Sequence, residues 1–580
     1  MAFMVLSYRH FHDLAPYKRG VFSLLIICGG LILGQTVLAQ TNLNEQERLP
    51  EPELRESLPP LDELLPELDT PSSSPDTDAF DVPETIVVQK FRVVGSTVFE
   101  SEEFDELLAE FTGEPISFAQ LLQAQEAITQ KYVEAGYITS GAYIPPQTLE
   151  NDVVEIQVIE GSVEEINISG LQRLRPGYVR NRLAIAAKTP VNRDRLLEDL
   201  QVLQLDPLIQ NLSVELAAGI RPGSSILDVT VVEADAFNAI ARIDNQRSPS
   251  VGSVRRQVGF THRNLLGFGD RLNFSYINTE GSDSLDNLGY TFPINARNGT
   301  LGFRHSRTDS SIIEDPFTLI DIVSESQLYE VSFRQPVRQT PTEEIALGLN
   351  FTHQNSQTFI LGDIGFPLSN GANDDGITKV SALRFVQEYT KRNDRQVFAL
   401  RSQFNVGVDV FNATINSGNE PDSQFLSWRG QSQYLRLLAP DTTLLVRGDV
   451  QFAGEPLVPL EQFSIGGAAS VRGYRQDALL ADNGVFASVE LRKAIATIPN
   501  WDTTLELTPF LDFGSVWNHD DNEATVTTNQ LWSVGVGLRL LVGDDLNARI
   551  DWGIPLNDLE TTGNTLQEDG VYFSVEYNFL

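Results

Sequence analysis

Trp532-Ser533-Val534-Gly535-Val536-Gly537-Leu538-Arg539-Leu540 decides what kind of chain this is. Trp532, Val534, Val536, Leu538 and Leu540 fall on one side of an extended strand, and Ser533, Gly535, Gly537 and Arg539 fall on the other. A helix, with its period of 3.6 residues, would scatter both sets around its axis. The same period of two runs through Phe398, Leu400, Phe404, Val406, Val408 and Val410 against Arg401, Gln403, Asn405 and Asp409. It returns in Leu272-Asn273-Phe274-Ser275-Tyr276 and in Leu347-Gly348-Leu349-Asn350-Phe351. From Ala236 to Leu580 helical periodicity is missing, and such segments repeat between turns rich in Gly, Asn and Asp. One apolar face opposite one polar, charge-bearing face suits a wall with lipid outside and water inside. A soluble sandwich or propeller shares the period, but does not usually line one whole face of long strands with Arg and Asp. Residues 236–580 are therefore expected to form an all-β transmembrane barrel.

The last segment keeps the pattern, with Val571, Phe573, Val575, Tyr577 and Phe579 on one face and Tyr572, Ser574, Glu576 and Asn578 on the other. An aromatic residue at or beside the end of such a strand is similar to the C-terminal assembly signal of bacterial outer-membrane proteins. Tyr577 and Phe579 would fill that role here, with the departure that Leu580 follows and leaves Phe579 penultimate.

At the other end, Arg9, Lys18 and Arg19 precede an apolar core from Val21 to Leu33, and Val37-Leu38-Ala39 supplies the residues a signal peptidase reads. A secretory signal over 1–39 is expected, cleaved after Ala39. An uncleaved anchor is the alternative, but the core is short of the ~20 residues a spanning helix needs. The single cysteine, Cys28, lies inside this core, and Ile27 before it is a poor match to a lipoprotein signal. A mature chain without cysteine has no disulfide, thiolate metal site or cysteine nucleophile. No later apolar run reaches the length of a transmembrane helix, so only a closed barrel could cross a bilayer. The formal charge of −37 over 580 residues argues against nucleic acid or anionic headgroups as partners, both of which favour basic surfaces.

Residues 40–85 are rich in proline and acid, as in Leu49-Pro50-Glu51-Pro52 and Ser72-Ser73-Ser74-Pro75, and are expected to be linker. Leu54, Leu58, Leu61, Leu64, Leu65 and Leu68 have roughly helical spacing, so a short helix is the alternative there. Two similar units follow, at 86–160 and 161–235. In the first, strands are expected at Ile86–Val94, Tyr137–Ile144 and Val153–Ile159, with helices at Glu102–Phe111 and Phe118–Ala135 and Ser117 as N-cap. In the second, strands are expected at Val163–Ile168, Leu208–Leu216 and Ile226–Val232, with helices at Arg175–Ala184 and Arg193–Leu203. Gly95 corresponds to Gly170, and Val158-Ile159-Glu160 to Val231-Val232-Glu233. A β-α-α-β-β unit with a period of about 75 residues is long enough for a small independent domain rather than a solenoid repeat.

Within the barrel region, Ser470-Val471-Arg472-Gly473-Tyr474 precedes Phe510-Leu511-Asp512-Phe513-Gly514. These residues alone leave two readings open: Arg472 and Asp512 form a buried ion pair in the lumen, or Arg472 sits on an exposed loop and Asp512 is a solvated lumen residue.

Two β-α-α-β-β units before a barrel resemble polypeptide-transport-associated (POTRA) domains. With the barrel, the chain resembles the two-partner secretion transporters of the hemolysin secretion and activation family, over Ile86 to Leu580. The resemblance rests most sharply on Val471-Arg472-Gly473-Tyr474, on Phe510, Leu511 and Asp512 with Gly514, and on Asn264-Leu265-Leu266-Gly267-Phe268-Gly269-Asp270. It implies a sixteen-strand barrel in the outer membrane of a Gram-negative-type bacterium, with two POTRA domains in the periplasm. It also implies a lumen loop at 464–484 in which Arg472 pairs with Asp512, while Gly466, Gly467 and Gly473 allow the fold-back. The partners implied are an unfolded secreted client of hemolysin or adhesin type, outer-membrane lipid, and the barrel assembly machinery during biogenesis. Export of such a client would draw on its folding at the cell surface, since no Walker-type glycine loop appears and no nucleotide or other cofactor is implied.

An outer-membrane assembly factor of the same superfamily is the nearest alternative, but such factors usually carry three or more POTRA units. A passive porin needs no α/β units before its barrel. An enzyme is disfavoured: Gly-x-Ser-x-Gly and His-Glu-x-x-His are missing, and the six histidines suggest no metal spacing. No catalytic residue and no metal ligand are assigned.

Overall fold

The computed structural model describes residues 49–52, 85–149, 151–520, 522, 528–559 and 563–579. The expected signal at 1–39 with Cys28, the leucine run from Leu54 to Leu68, and Leu580 lie outside the described residues. Sixteen long antiparallel strands close into a barrel, from Phe237–Asp244 round to Val571–Asn578. A two-residue strand, Ile364–Gly365, adds only to the end of Glu343–Ile360. The ring closes through five register pairs, from Ser574↔Asp244 to Asn578↔Ile240. Closure leaves the wall without an open edge, whose unpaired ladder groups lipid could not satisfy.

The strand Gln530–Val542 turns Trp532, Val534, Val536 and Leu538 outward and buries Ser533 in the lumen. Phe303, Leu349, Phe404, Leu511 and Trp552 likewise face out, giving the apolar exterior expected of a transmembrane barrel. Among the described residues no helix is long and apolar enough to cross a membrane. One expected run is shorter than its alternation suggests. The strand Gln396–Gly407 ends before Val408, Asp409 and Val410, and Gly407 lets the Ser423 carbonyl approach, since a Cβ there would lie 1.9 Å from that oxygen. Val408 N–H still bonds the carbonyl of Ser381, the next position on the neighbouring strand Ile377–Arg392, and the chain leaves the wall after it.

The first α+β unit is a three-stranded sheet ordered Lys90–Val94, Val153–Ile159, Gly141–Tyr143, covered by helices α1 (Ser101–Leu107) and α2 (Phe118–Glu134). Ser117 caps α2 by accepting from Gln120 N–H, and Gln120 returns the bond, so two otherwise orphaned donors are satisfied. Leu121, Ala124, Ile128 and Tyr132 follow at helical spacing and bury that face. Local departures from the expected elements have local causes. Ile86–Val87 splits from Lys90–Val94 to pair with Pro115–Ile116, and the expected Tyr137–Ile144 strand keeps only Gly141–Tyr143 in the sheet. The helical run to Phe111 tightens after Leu107 into a 3-10 turn, Ala109–Phe111.

The second unit repeats the plan with Ser162–Ser169, Ser224–Glu233 and Ile209–Ala218 under α3 (Pro176–Ala186) and α4 (Arg193–Gln204). The matched Gly and Glu positions form the same clasp twice. Gly95 and Gly170 have φ of 90° and 83°, and a Cβ would stand 2.5 Å from Val158 O and 2.3 Å from Val231 O. Two residues beyond each of those carbonyls, a carboxylate ties down the loop that follows the glycine. Glu160 accepts from Thr97 N–H and Oγ1, at 2.5 and 2.6 Å. Glu233 accepts from the N–H groups of Gln172, Arg173 and Leu174, at 2.7, 3.0 and 2.8 Å. Removing a charged acceptor that serves three donors costs about 2 kcal/mol or more. Glu233→Ala should therefore lower the urea concentration at which protease cuts the full chain between 162 and 233, with Glu215→Ala, on an exposed strand position, as control.

Candidate functional site

The wall strand Thr442–Ala453 is followed by Asn483–Ile498, and the 454–482 chain between them leaves the wall and folds into the lumen. There it forms a hairpin of Phe463–Ile465 with Leu479–Ala481. The expected 464–484 span is offset, because Asn483 and Gly484 already belong to the wall. Gly466, Gly467 and Gly473 have φ of 109°, 93° and 99°, a region where a side chain is strained, so the fold-back depends on them. Ser470 Oγ closes the turn, accepting from Gly466 N–H and donating to Gly466 O at 2.9 Å each. Ile465, Val471 and Tyr474 pack against the lumenal side chains Phe486, Val516 and Leu531. Gly514 makes room for them, since a Cβ there would come within 2.9 Å of both Ile465 and Val471.

Strand Thr503–Trp517 turns Thr508, Phe510, Asp512 and Val516 inward, and Phe510 and Asp512 receive Arg472. Arg472 Nε and Nη2 donate to Asp512 Oδ2 and Oδ1 at 2.8 and 2.9 Å, and its backbone N–H reaches the same carboxylate at 3.2 Å. Its Nη1 donates to Glu490 Oε2 at 2.6 Å, and its guanidinium lies 3.4 Å from the centre of the Phe510 ring. Arg472 is 1% exposed and Asp512 0%, so both charges are removed from bulk solvent. Desolvation takes back much of the Coulomb gain of such a pair, but the geometry defines one seat for the loop. Glu490 in turn holds Arg549 at 2.7 Å and Arg492 at 2.8 Å, and Arg549 holds Asp551 at 2.7 Å. The pair is thus the centre of a network of alternating sign.

Beyond Arg472 the loop meets the last strands of the barrel. Gly473 and Gly553 touch backbone to backbone: a Cβ on Gly553 would lie 2.5 Å from Gly473 N. The Tyr572 hydroxyl accepts from Gly473 N–H at 3.0 Å and donates to the Tyr474 carbonyl. Tyr474 carries its own hydroxyl to the Trp532 carbonyl at 2.9 Å and to Asn557 Oδ1 at 2.7 Å. Gln476 N–H donates to Gln567, whose amide bonds the carbonyls of Asn245 and Arg247 just past the first strand.

Arg472, Asp512, Gly466, Gly467, Val471, Gly473, Tyr474, Phe510 and Gly514 thus meet in one lumenal cluster. Tyr577 and Phe579 do not join it; they are exposed on the outer surface, ring edge to ring face at 4.9 Å. Glu490, Arg549, Asp551, Gly553 and Tyr572 were not anticipated, although Ser488, Glu490 and Arg492 carry polar residues at the period of two that marks a lumenal face. A second buried pair holds the stem of the insertion, Arg384 Nη2 to Glu461 Oε1 at 2.7 Å.

The N-terminal segment also reaches the lumen. Leu49 O accepts from Gln433 Nε2 at 2.8 Å, and Glu51 pairs with Arg492 and lies 3.9 Å from Arg539. These three anchors fall within one run of five neighbouring wall strands, from Leu426–Ala439 to Gln530–Val542, so Leu49 to Glu51 lies along that side of the lumen. Glu51→Ala should free this segment from the wall, and if it narrows the lumen, single-channel conductance in planar bilayers should rise. Conductance equal to that of the unmodified protein would mean that the segment does not limit the pore.

The family described as haemolysin secretion/activation protein ShlB/FhaC/HecB matches residues 223–540, and the ShlB-type POTRA domain matches 86–161. An outer membrane transporter, CdiB, of Escherichia coli is 24% identical over 509 residues, covering 84% of this chain and 82% of its own. A heme/hemopexin transporter protein, HuxB, of Haemophilus influenzae (strain 86-028NP) is 22% identical over 460 residues, with coverages of 76% and 78%. Among solved structures, CdiB from Escherichia coli superposes with a TM-score of 0.65 at 21% identity, over 88% of this chain and 93% of its own.

Proposed function

Because this chain belongs to the haemolysin secretion/activation family ShlB/FhaC/HecB, we propose that the Arg472 loop is the element that keeps its pore competent for export. The protein is a two-partner secretion transporter of the outer membrane, with its POTRA region in the periplasm. It is not an enzyme, and what it acts on is a secreted partner polypeptide. In the proposed cycle, the periplasmic units hold the unfolded client by strand addition to their sheet edges, where main-chain bonds grip without demanding a particular sequence. The client then threads the lumen past the loop and folds outside.

The observation that carries this reading is the seating of Arg472 between Asp512 and Glu490 on the inner wall. A loop that merely decorated a passive pore would not need two carboxylates and an aromatic platform to fix one position. Tyr577 and Phe579, exposed on the strand that closes the ring, are proposed as the signal read by the barrel assembly machinery. The outward apolar belt is proposed to meet the lipid.

The test is deletion of the gene and complementation with the intact chain. A protein should vanish from the culture medium on deletion and return on complementation. An unchanged medium with poor insertion of other outer-membrane barrels would instead identify an assembly factor.

A further inference from the structure

The turn Asn264–Asp270 stands outside the lumenal cluster, at the barrel end nearest the second α+β unit. Its polar ends make it rigid. Asp270, 1% exposed, accepts from Leu266 N–H at 3.0 Å and from Tyr290 hydroxyl at 2.9 Å, and Asn264 Oδ1 accepts from Gly269 N–H at 3.0 Å. Gly267 and Gly269 have φ of 86° and 82°, and both are places where α3 or the segment before it presses on the turn. A Cβ on Gly267 would lie 2.8 Å from Arg173 O, and one on Gly269 would lie 2.3 Å from the Tyr178 ring.

The opposing face belongs to α3 and its N-cap. Arg175 N–H donates to Gly267 O at 2.9 Å, and the Arg175 guanidinium sits 3.7 Å from the centre of the Phe268 ring. Tyr178 donates its hydroxyl to Asp206 at 2.6 Å, and burial together with that carboxylate raises its pKa, so it stays a donor. Arg182 stacks on Tyr178 at 3.5 Å and donates through Nε to Asn298 Oδ1, in the next turn of the barrel, at 2.9 Å. Arg175, Tyr178 and Arg182 are three and four residues apart, so one helical stripe engages two turns of the barrel. Tyr178 and Arg182 also line a cavity of about 570 Å3 at the mouth of the barrel, together with Arg263, Arg334, Glu344 and Glu388.

We propose that the Arg175–Tyr178–Arg182 stripe and the Asn264–Asp270 turn form a latch that fixes the second periplasmic unit against the pore mouth, and that client transit depends on this fixed position. The inference rests on the transporter reading, since it concerns the hand-over of a client from the periplasmic unit to the lumen. Arg175, Tyr178, Phe268 and Gly269 are positioning residues in it, not client ligands.

The test uses the full chain with Cys28→Ser and spin labels on Glu198→Cys in α4 and Asp394→Cys in the turn after Ile377–Arg392, both exposed. The intact latch should give one narrow distance distribution between the labels. Arg175→Ala with Phe268→Ala should broaden it and reduce export on the order of tenfold, the factor equivalent to about 1.4 kcal/mol. Client bound by the periplasmic region should stay constant, and Phe268→Tyr, which keeps the ring, should restore both readouts. Arg182→Ala with Asn298→Ala, which leaves the first turn intact, is the second variant if the first does not fold. A distribution that stays narrow in both variants, or one that broadens while export continues at the unmodified rate, would overturn the latch. Failure of the transporter reading looks different: the unmodified protein itself would export nothing, whatever the label distances.

Discussion

Arg472→Ala is expected to leave a closed, inserted barrel and to abolish most export. The substitution removes the guanidinium that joins Asp512 to Glu490 and that lies over Phe510. Breaking a buried pair by deleting one partner costs about 3–5 kcal/mol, because the remaining charge is left uncompensated. Applied to the loop, this shifts the balance of seated over unseated forms by roughly a hundredfold to a few thousandfold, at about 1.4 kcal/mol per tenfold. The wall is not at stake, since Glu490 keeps Arg549 and Arg492, Asp512 keeps Ser488 at 2.6 Å, and no ladder bond is touched. Heat-modifiable electrophoretic mobility should therefore be unchanged, the secreted partner should be nearly lost from the medium, and external trypsin should gain access at Arg475. Arg472→Lys should fall between, because a point charge cannot serve two carboxylates in one plane or stack on the ring. Export at the unmodified level from Arg472→Ala would end the role assigned to the loop.

Gly553→Val should produce the same loss without altering a charge. Gly553 lies in the strand Leu546–Pro555, where a β-branched residue is ordinarily favoured. Its Cβ, however, would stand 2.5 Å from Gly473 N and 2.7 Å from Arg472 C, well inside the 3.4 Å at which ordinary contact begins. Both obstacles are backbone, so the loop must move away as a unit and give up the Gly473 bond to Tyr572. Trp552→Val, one residue away on the outer face, should export normally. Equal export from Gly553→Val and Trp552→Val would show that close seating of the loop is not required.

The barrel was legible because a wall with an apolar outer face and a polar lumen gives its strands a period of two, as in Gln530–Val542. The two α+β units were legible through helix caps such as Ser117 and through the paired Gly and Glu positions. The Arg472–Asp512 pairing came from a motif, and nothing in the spacing of the two residues could have joined them across the lumen. The rest of the network escaped for a related reason. Glu490, Arg549 and Asp551 each look like one more solvated lumen residue until ring closure sets their strands side by side. Pro50 and Pro52 speak against a packed core, which is why this stretch read as linker, but composition does not say where an extended segment is caught. Arg492, from far along the chain, catches it through Glu51.

The bond from Gly473 to Tyr572 spans 99 residues and ends on the strand that closes the ring. Gln567 and Asn245, which extend the same contact, likewise join the chain's last hairpin to the end of its first wall strand. Until the C-terminal strand has been delivered and the circle completed, the seat for Gly473 and Tyr474 does not exist. The loop is thus held in two ways: Arg472 by the adjacent strands that carry Glu490, Phe510 and Asp512, and Gly473 to Gln476 by residues that face them only once the ring is closed. A chain lacking its last strand keeps the charged seat for Arg472 but loses the contacts that fix Gly473, and its loop is held at one point instead of two.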